Sequence, residues 1–218
     1  MDFSRRRKAM VDSQIRPNDV TDARLLDAFA TTPREAFLPA HLQPAAYVEM
    51  ELAVAPGRAL PTARDHAKLL EALDLAEGDL VLDVACATGY STAILAQVVD
   101  MVVAVEADEA LAAFAEGKLA EHDIANAAVI VGPPAAGAAS QGPFDAVVVS
   151  NGAVDAIPDA LLGQLKDGGR LAAFCPADGV VQGTVMERAG DAFGRRRLFA
   201  ASTRTFLDEF SAPPAFVF

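Results

Sequence analysis

From Leu80 onward, short apolar runs alternate with segments of helical periodicity, and this alternation restricts the fold more than any other feature of the chain. The runs cover residues 80–84, 101–105, 127–131, 144–149 and 171–174, and all are rich in Val, Leu, Ile or Ala. Short, predominantly apolar runs of this length read as strands buried on both faces. Between them, residues 91–98, 109–121 and 157–165 carry helix-compatible patterns. Strand–helix–strand alternation predicts an α/β fold, a doubly wound and mostly parallel sheet with right-handed crossovers. After Gly179, residues 183–188 and 197–203 flank a polar turn at Gly190-Asp191 and read as an antiparallel edge hairpin.

The first 75 or so residues lack a strong strand signal and read as helical. The expected organisation is an N-terminal helical extension over residues 1–75 and a core over 76–218, together one compact domain. Thr21 is the expected N-cap of a helix carrying Leu25, Leu26 and Phe29, which Thr31-Thr32-Pro33 closes. Thr62 caps a second helix with the stripe Leu69, Leu70 and Leu73, and Asp65 stands where a capping-box partner belongs. Arg5-Arg6-Arg7-Lys8 reads as the solvated face of a helix whose other side bears Phe3, Met10 and Val11.

Composition excludes several classes. The 218 residues are 52% hydrophobic with a net charge of -12, a balance that repels a phosphate backbone, so nucleic acid is not an expected partner. The most apolar stretch, residues 93–105, is broken by Gln97 and Asp100, so no membrane span is expected. No apolar signal segment follows the basic tetrad, which predicts a cytoplasmic protein. Cys86 and Cys175 lack ligand spacing and read as reduced thiols, with no metal site. His41, His66 and His122 are scattered and read as structural or exposed. The apolar residues 212–218 are expected to dock on the chain's own core. Oligomeric state is not legible.

In open α/β sheets ligands sit beyond the carboxyl ends of the strands, where the first strand-to-helix turn offers free N–H groups. Here that turn reads Asp83-Val84-Ala85-Cys86-Ala87-Thr88-Gly89-Tyr90, and Glu106 ends the second strand about 20 residues later, where a ribose-binding carboxylate belongs. A dinucleotide-binding GxGxxG does not fit, because Ala85, Ala87 and Tyr90 occupy its glycine positions. Asn151, just after the fourth run, stands where an amide orients a substrate or cofactor group, or else it forms a simple Asn-Gly turn with Gly152.

The loop is similar to the acidic-x-Gly-x-Gly-x-Gly segment of S-adenosylmethionine-dependent methyltransferases, at Asp83-Val84-Ala85-Cys86-Ala87-Thr88-Gly89. The wider chain resembles the protein-L-isoaspartate O-methyltransferase family. Its N-terminal part is matched by Met10-Val11, Gln14-Ile15-Arg16, Val20-Thr21-Asp22, Thr32-Pro33-Arg34-Glu35-Ala36-Phe37-Leu38-Pro39 and Ala46-Tyr47. The later strands are matched by Pro143-Phe144-Asp145, Ile157-Pro158-Asp159-Ala160-Leu161 and Gln164-Leu165-Lys166-Asp167-Gly168-Gly169-Arg170-Leu171. The resemblance implies a Rossmann-like methyltransferase fold, S-adenosylmethionine as cofactor, and methylation of a carboxylate in isoaspartyl residues of damaged proteins. It implies cofactor contacts at Asp83, Ala85, Cys86, Ala87, Gly89 and Glu106, with Thr62 and Asn151 as candidates on the reacting side.

Three segments depart from that family's pattern. Ala85 and Ala87 replace glycines, and Gly132-Pro133-Pro134 stands where an aspartate usually accepts from the adenine amino group, a role closed to proline. The Thr-Ile-Ser-x-Pro segment is here Ala59-Leu60-Pro61-Thr62-Ala63, so Pro61 fills the serine position and Thr62 offers a displaced hydroxyl or simply a helix cap. These departures keep a second reading open, a non-catalytic relative that retains the fold for binding or regulation.

Overall fold

The structure is a computed structural model and describes residues 2–211, so the expected docking of residues 212–218 lies outside the described residues. The chain opens with helix α1 (Phe3–Met10), which a π-helical turn over Val11–Ile15 extends, and helix α2 (Ala23–Thr31). The cap of α2 is Asp22 rather than Thr21: its carboxylate accepts from Arg24 N, while Thr21 donates its hydroxyl and backbone N–H to Glu71. A carboxylate next to the first turn is the better acceptor for a helix N–H.

A small antiparallel hairpin follows, β1 (Leu52–Ala55) and β2 (Arg58–Leu60), in a region expected to contain only helix. It escapes sequence reading because β1 is half exposed and only four residues long, and Ala-Pro-Gly punctuates it. Helix α3 (Ala63–Glu71) is capped by Thr62, whose hydroxyl accepts from Asp65 N. Asp65 does not complete a capping box. Its carboxylate accepts instead from Ser202 N and Arg64, tying α3 to the C-terminal part of the chain.

The alternating region then appears as β3 (Leu80–Val84), α4 (Tyr90–Leu95), β4 (Met101–Glu106), α5 (Glu109–Glu121), β5 (Ala127–Val131), β6 (Phe144–Ala153), α6 (Asp159–Leu162) and β7 (Leu165–Ala177). Strands β8 (Val180–Ala189) and β9 (Ala192–Ala200) add the antiparallel edge hairpin; β8 is longer than expected at both ends, while β9 both starts and ends earlier than expected. One seven-stranded sheet results, in the order β5-β4-β3-β6-β7-β8-β9, with β3 to β7 mutually parallel. Helices α4 and α6 are shorter than their patterns suggest, because both segments finish in tight turns rather than continued helix.

Strand side chains alternate between faces, and the two faces feed two cores. Val81, Val102, Ala146, Val148, Ala172 and Phe174 join Met10, Leu25, Phe29, Leu69 and Ile94 of the helical layer. Their neighbours Leu82, Val84, Val103, Val105, Val147 and Val149 join Leu161, Leu207 and Phe210 on the opposite face. Among the described residues no helix is long and apolar enough to cross a membrane.

His66 on α3 is fully buried between Phe29 and Tyr90, with ring centroids 5.5 and 5.7 Å away, and neither ring nitrogen has a hydrogen-bond partner among the described residues. Burial, aided by the charge of Arg34, pushes its pKa down to about 3. Below roughly pH 6.5 the unfolded chain therefore gains a proton that the folded chain refuses, and stability falls as pH drops through this window. His66→Leu should remove that component. Between pH 7 and 5 the variant's unfolding free energy should gain about 2 kcal/mol on that of the wild type, read by urea denaturation. Parallel pH dependences would refute the assignment.

Candidate functional site

The order of the sheet reverses between β3 and β6, so a crevice is expected beyond their carboxyl ends. The loop leaving β3 is built there from alternating left-handed residues: φ is 54° at Ala85, 52° at Ala87 and 85° at Gly89. It closes through Cys86 N to Val105 O at 3.1 Å and Gly89 N to Cys86 O at 2.9 Å. Gly89 caps α4, and a Cβ there would stand 2.9 Å from the Cβ of Ala115 on α5, so the loop packs against the neighbouring helix only because this residue is glycine. Burial pushes the Cys86 thiol well above its ordinary pKa, which makes it a packing residue rather than a nucleophile.

Asp83, the next-to-last residue of β3, lies beneath this loop. Its Oδ2 accepts the hydroxyls of Ser91 at 2.6 Å and Thr92 at 2.7 Å. Burial pushes its pKa up to about 6 against the opposing pull of those two hydroxyls. Asp83 Oδ1, Thr88 Oγ1 and, on β6, Ser150 Oγ are buried with no hydrogen-bond partner among the described residues. Polar atoms left over in this way mark a place that a polar ligand or water completes.

Glu106 closes β4 and is fully buried. Its Oε1 accepts from Ala107 N at 2.8 Å and Asp108 N at 3.2 Å, and its Oε2 from Ala87 N at 2.8 Å. Arg58 of β2 then lies across the carboxylate, Nη2 to Oε1 at 2.9 Å and Nε to Oε2 at 3.0 Å. The same guanidinium donates Nη1 to Oε2 of Glu209 at 3.2 Å and Nη2 to Glu209 Oε1. Burial alone would lower the pKa of Arg58, but its hydrogen bonds to Glu209 and Glu106 outweigh this and hold it above the ordinary value. Sequence reading missed both Arg58 and Glu209. The available signal was an arginine directly after the Pro56-Gly57 turn, in a region with no other marker of function.

The remaining candidates separate. Asn151 donates its amide to Ala85 O at 3.1 Å and Ser91 Oγ at 3.3 Å, which pins the loop to β6. Thr62 caps α3 and lines an open cleft together with Glu49, Met50, Glu51, Ser202 and Arg204. Pro133 follows β5 and leads into a short turn over Pro134–Ala136, and Gly132 N donates to Glu106 O at 3.0 Å. Among the described residues no group of His, Cys, Asp and Glu side chains is placed to hold a metal ion. Asn151→Ala should leave the Ala85 carbonyl without a donor in a buried site and lower the unfolding free energy by about 1–3 kcal/mol in urea denaturation. An unchanged midpoint would show that the amide does not pin the loop.

The protein-L-isoaspartate(D-aspartate) O-methyltransferase family model matches residues 5–191. A protein-L-isoaspartate O-methyltransferase of Roseiflexus castenholzii is 40% identical over 171 residues, 78% of either chain. One from Koribacter versatilis is 38% identical over 169 residues, covering 78% of this chain and 76% of its own. Among solved structures, a protein-L-isoaspartate O-methyltransferase superposes with a TM-score of 0.80 at 21% identity, over 94% of this chain and 67% of that one. A Plasmodium falciparum structure named for the same activity, in complex with S-adenosyl-L-homocysteine, superposes with a TM-score of 0.78 at 17% identity, over 93% of this chain and 98% of that one. The structures establish the doubly wound methyltransferase fold, and on the family match and the sequence relatives together this chain belongs to the protein-L-isoaspartate O-methyltransferase family.

Proposed function

We propose that the chain is an S-adenosylmethionine-dependent O-methyltransferase that esterifies carboxylates of isoaspartyl residues in damaged proteins of the cytoplasm. The observation that carries this reading is the strand–loop–helix unit at the switch point, with Asp83 beneath the loop and Glu106 at the end of the adjacent strand. Members of the family use S-adenosylmethionine.

The chemistry of the residues present fits that cofactor. Glu106 supplies the buried carboxylate that ribose hydroxyls require, the 85–89 loop supplies backbone groups, and Asp83 Oδ1, Thr88 Oγ1 and Ser150 Oγ supply polar atoms without partners among the described residues. Ala85 and Ala87 already hold the left-handed backbone that glycine usually provides, so the loop conformation itself survives both substitutions. No acceptor side chain stands at Pro133, so adenine recognition falls to backbone groups. When bound, the cofactor supplies an electrophilic methyl group.

The protein's own part is modest. An acceptor carboxylate with an ordinary pKa near ~4 is ionised at neutral pH, so alignment and exclusion of water replace general-base catalysis. Thr62 caps α3, and its hydroxyl borders an open cleft in which the carboxylates of Glu49 and Glu51 offset the Arg204 cation. Asn151 acts as a positioning residue for the loop through Ala85.

The test is transfer of labelled methyl from S-adenosylmethionine to a peptide carrying one isoaspartyl residue, against the same peptide with aspartate. The expected result is a base-labile methyl ester on the isoaspartyl peptide alone. A folded protein that methylates neither peptide and does not bind S-adenosylhomocysteine would instead be a non-catalytic relative.

A further inference from the structure

We propose that Arg58 and Glu209 form a latch across the cofactor cleft, and that the cofactor enters only when Arg58 leaves Glu106. The inference rests on the cofactor reading given above and assigns a control to the same site.

Saturation of Glu106 is the first ground. Its two oxygens accept from Ala87 N, Ala107 N, Asp108 N and two nitrogens of Arg58. An ionised carboxylate offers about four lone-pair sites, so a ribose hydroxyl finds no vacant acceptor until the guanidinium withdraws. Access is the second ground. Ala85, Cys86, Ala87 and Glu106 have no exposed surface and Arg58 is 4% exposed, so the described conformation presents neither the loop nor its carboxylate to a ligand.

The third ground is how Arg58 is held. Glu209 belongs to a terminal strap that runs back over the end of β6. The strap is fixed by Ala153 N to Thr205 O at 2.8 Å and Leu207 N to Ala153 O at 2.9 Å. Gly152 makes room for it, since a Cβ there would meet Leu207 Cδ2 at 2.7 Å. Leu207 and Phe210 bury their side chains in the cluster that contains Ala85, so the strap packs on the same apolar group as the loop. The two carboxylates that grip Arg58 differ in access: the side chain of Glu106 is sealed, that of Glu209 is 29% exposed, and Phe206 of the same strap is 39% exposed. The latch therefore opens from the strap side, where water can replace Arg58 on Glu209.

Calorimetric titration with S-adenosylhomocysteine, paired with hydrogen–deuterium exchange of residues 205–210, tests the latch on the full chain. Wild type, Glu209→Ala and Arg58→Ala are compared after thermal unfolding has shown each to be folded. Glu209→Ala should bind at least tenfold more tightly than wild type and exchange faster in the strap without ligand; Arg58→Ala, which frees Glu106, should gain at least as much affinity. Ligand added to the wild type should itself speed strap exchange. Wild-type binding with the strap still protected, or equal affinity in Glu209→Ala, overturns the latch. If the wild type also methylates the isoaspartyl peptide in that case, the cofactor reading stands alone. If no folded variant binds the ligand, the latch and the cofactor reading fall together.

Discussion

The architecture around the crevice depends on one buried carboxylate, that of Glu106. Four stretches of chain converge on it: the β3 loop through Ala87, the turn into α5 through Ala107 and Asp108, the β1–β2 hairpin through Arg58, and the terminal strap through Arg58 and Glu209. An ionised group in a dry site is tolerated only if its lone pairs are used and its charge is paired. Meeting that demand fixes where each of these segments must lie. A buried ion pair adds little stability compared with apolar packing, but an arrangement that separates its partners strands a buried charge and is heavily penalised. That is the property a crevice built from distant pieces of chain requires.

The β3 loop shows how a tight turn survives without its usual residues. Ala85 and Ala87 both stand in the left-handed region, at about 1–2 kcal/mol each relative to glycine. Against this, Ala85 buries its methyl among Leu82, Val84 and Leu207, and the loop's N–H groups reach Val105 O, Cys86 O and Glu106. The position that tolerates no such exchange is Gly89, where helix α5 stands too close for a Cβ. Conformation and contact thus place different demands on the glycine positions of one loop, and only the contact demand is absolute here.

The sheet was legible because its signal is local. Helix α5 runs over Glu109–Glu121 as its pattern indicates, bounded by Asp108, which accepts from Ala110 N and Leu111 N. Strands β3 and β5 have the bounds of their apolar runs, and the loop and Glu106 follow from strand ends. The β1–β2 hairpin was not legible, since a four-residue strand with one buried residue and a three-residue strand buried throughout carry no periodicity. Nor was the grip on Arg58: Glu106 is 48 residues away and Glu209 is 151, and nothing local in sequence records a pairing made by the fold. The cap of α2 moved by one residue for the same reason, because Glu71 on α3 engages Thr21 and leaves Asp22 to cap.

Charge explains why an arginine is the group lying in the crevice. Asp83, Glu106 and Glu209 bring three carboxylates toward one side of the sheet, and burial already pushes Asp83 up to about 6, with the charge of Glu106 adding to the shift. A lysine there would offer a point charge, whereas the planar guanidinium spans both oxygens of Glu106 and both of Glu209 at once. Burial works to raise the pKa of Glu209, yet its hydrogen bond to Arg58 prevails and lowers it, so the outer carboxylate stays ionised and keeps its hold at neutral pH. A group that displaces Arg58 must then satisfy the same acceptors in the same dry place. Ribose hydroxyls supply the donors but no charge, which leaves Glu106 to the backbone N–H groups of Ala87, Ala107 and Asp108 that already hold it. Those three bonds keep the carboxylate oxygens hydrogen-bonded while the arginine exchanges, and without them the crevice would be committed to its own cation.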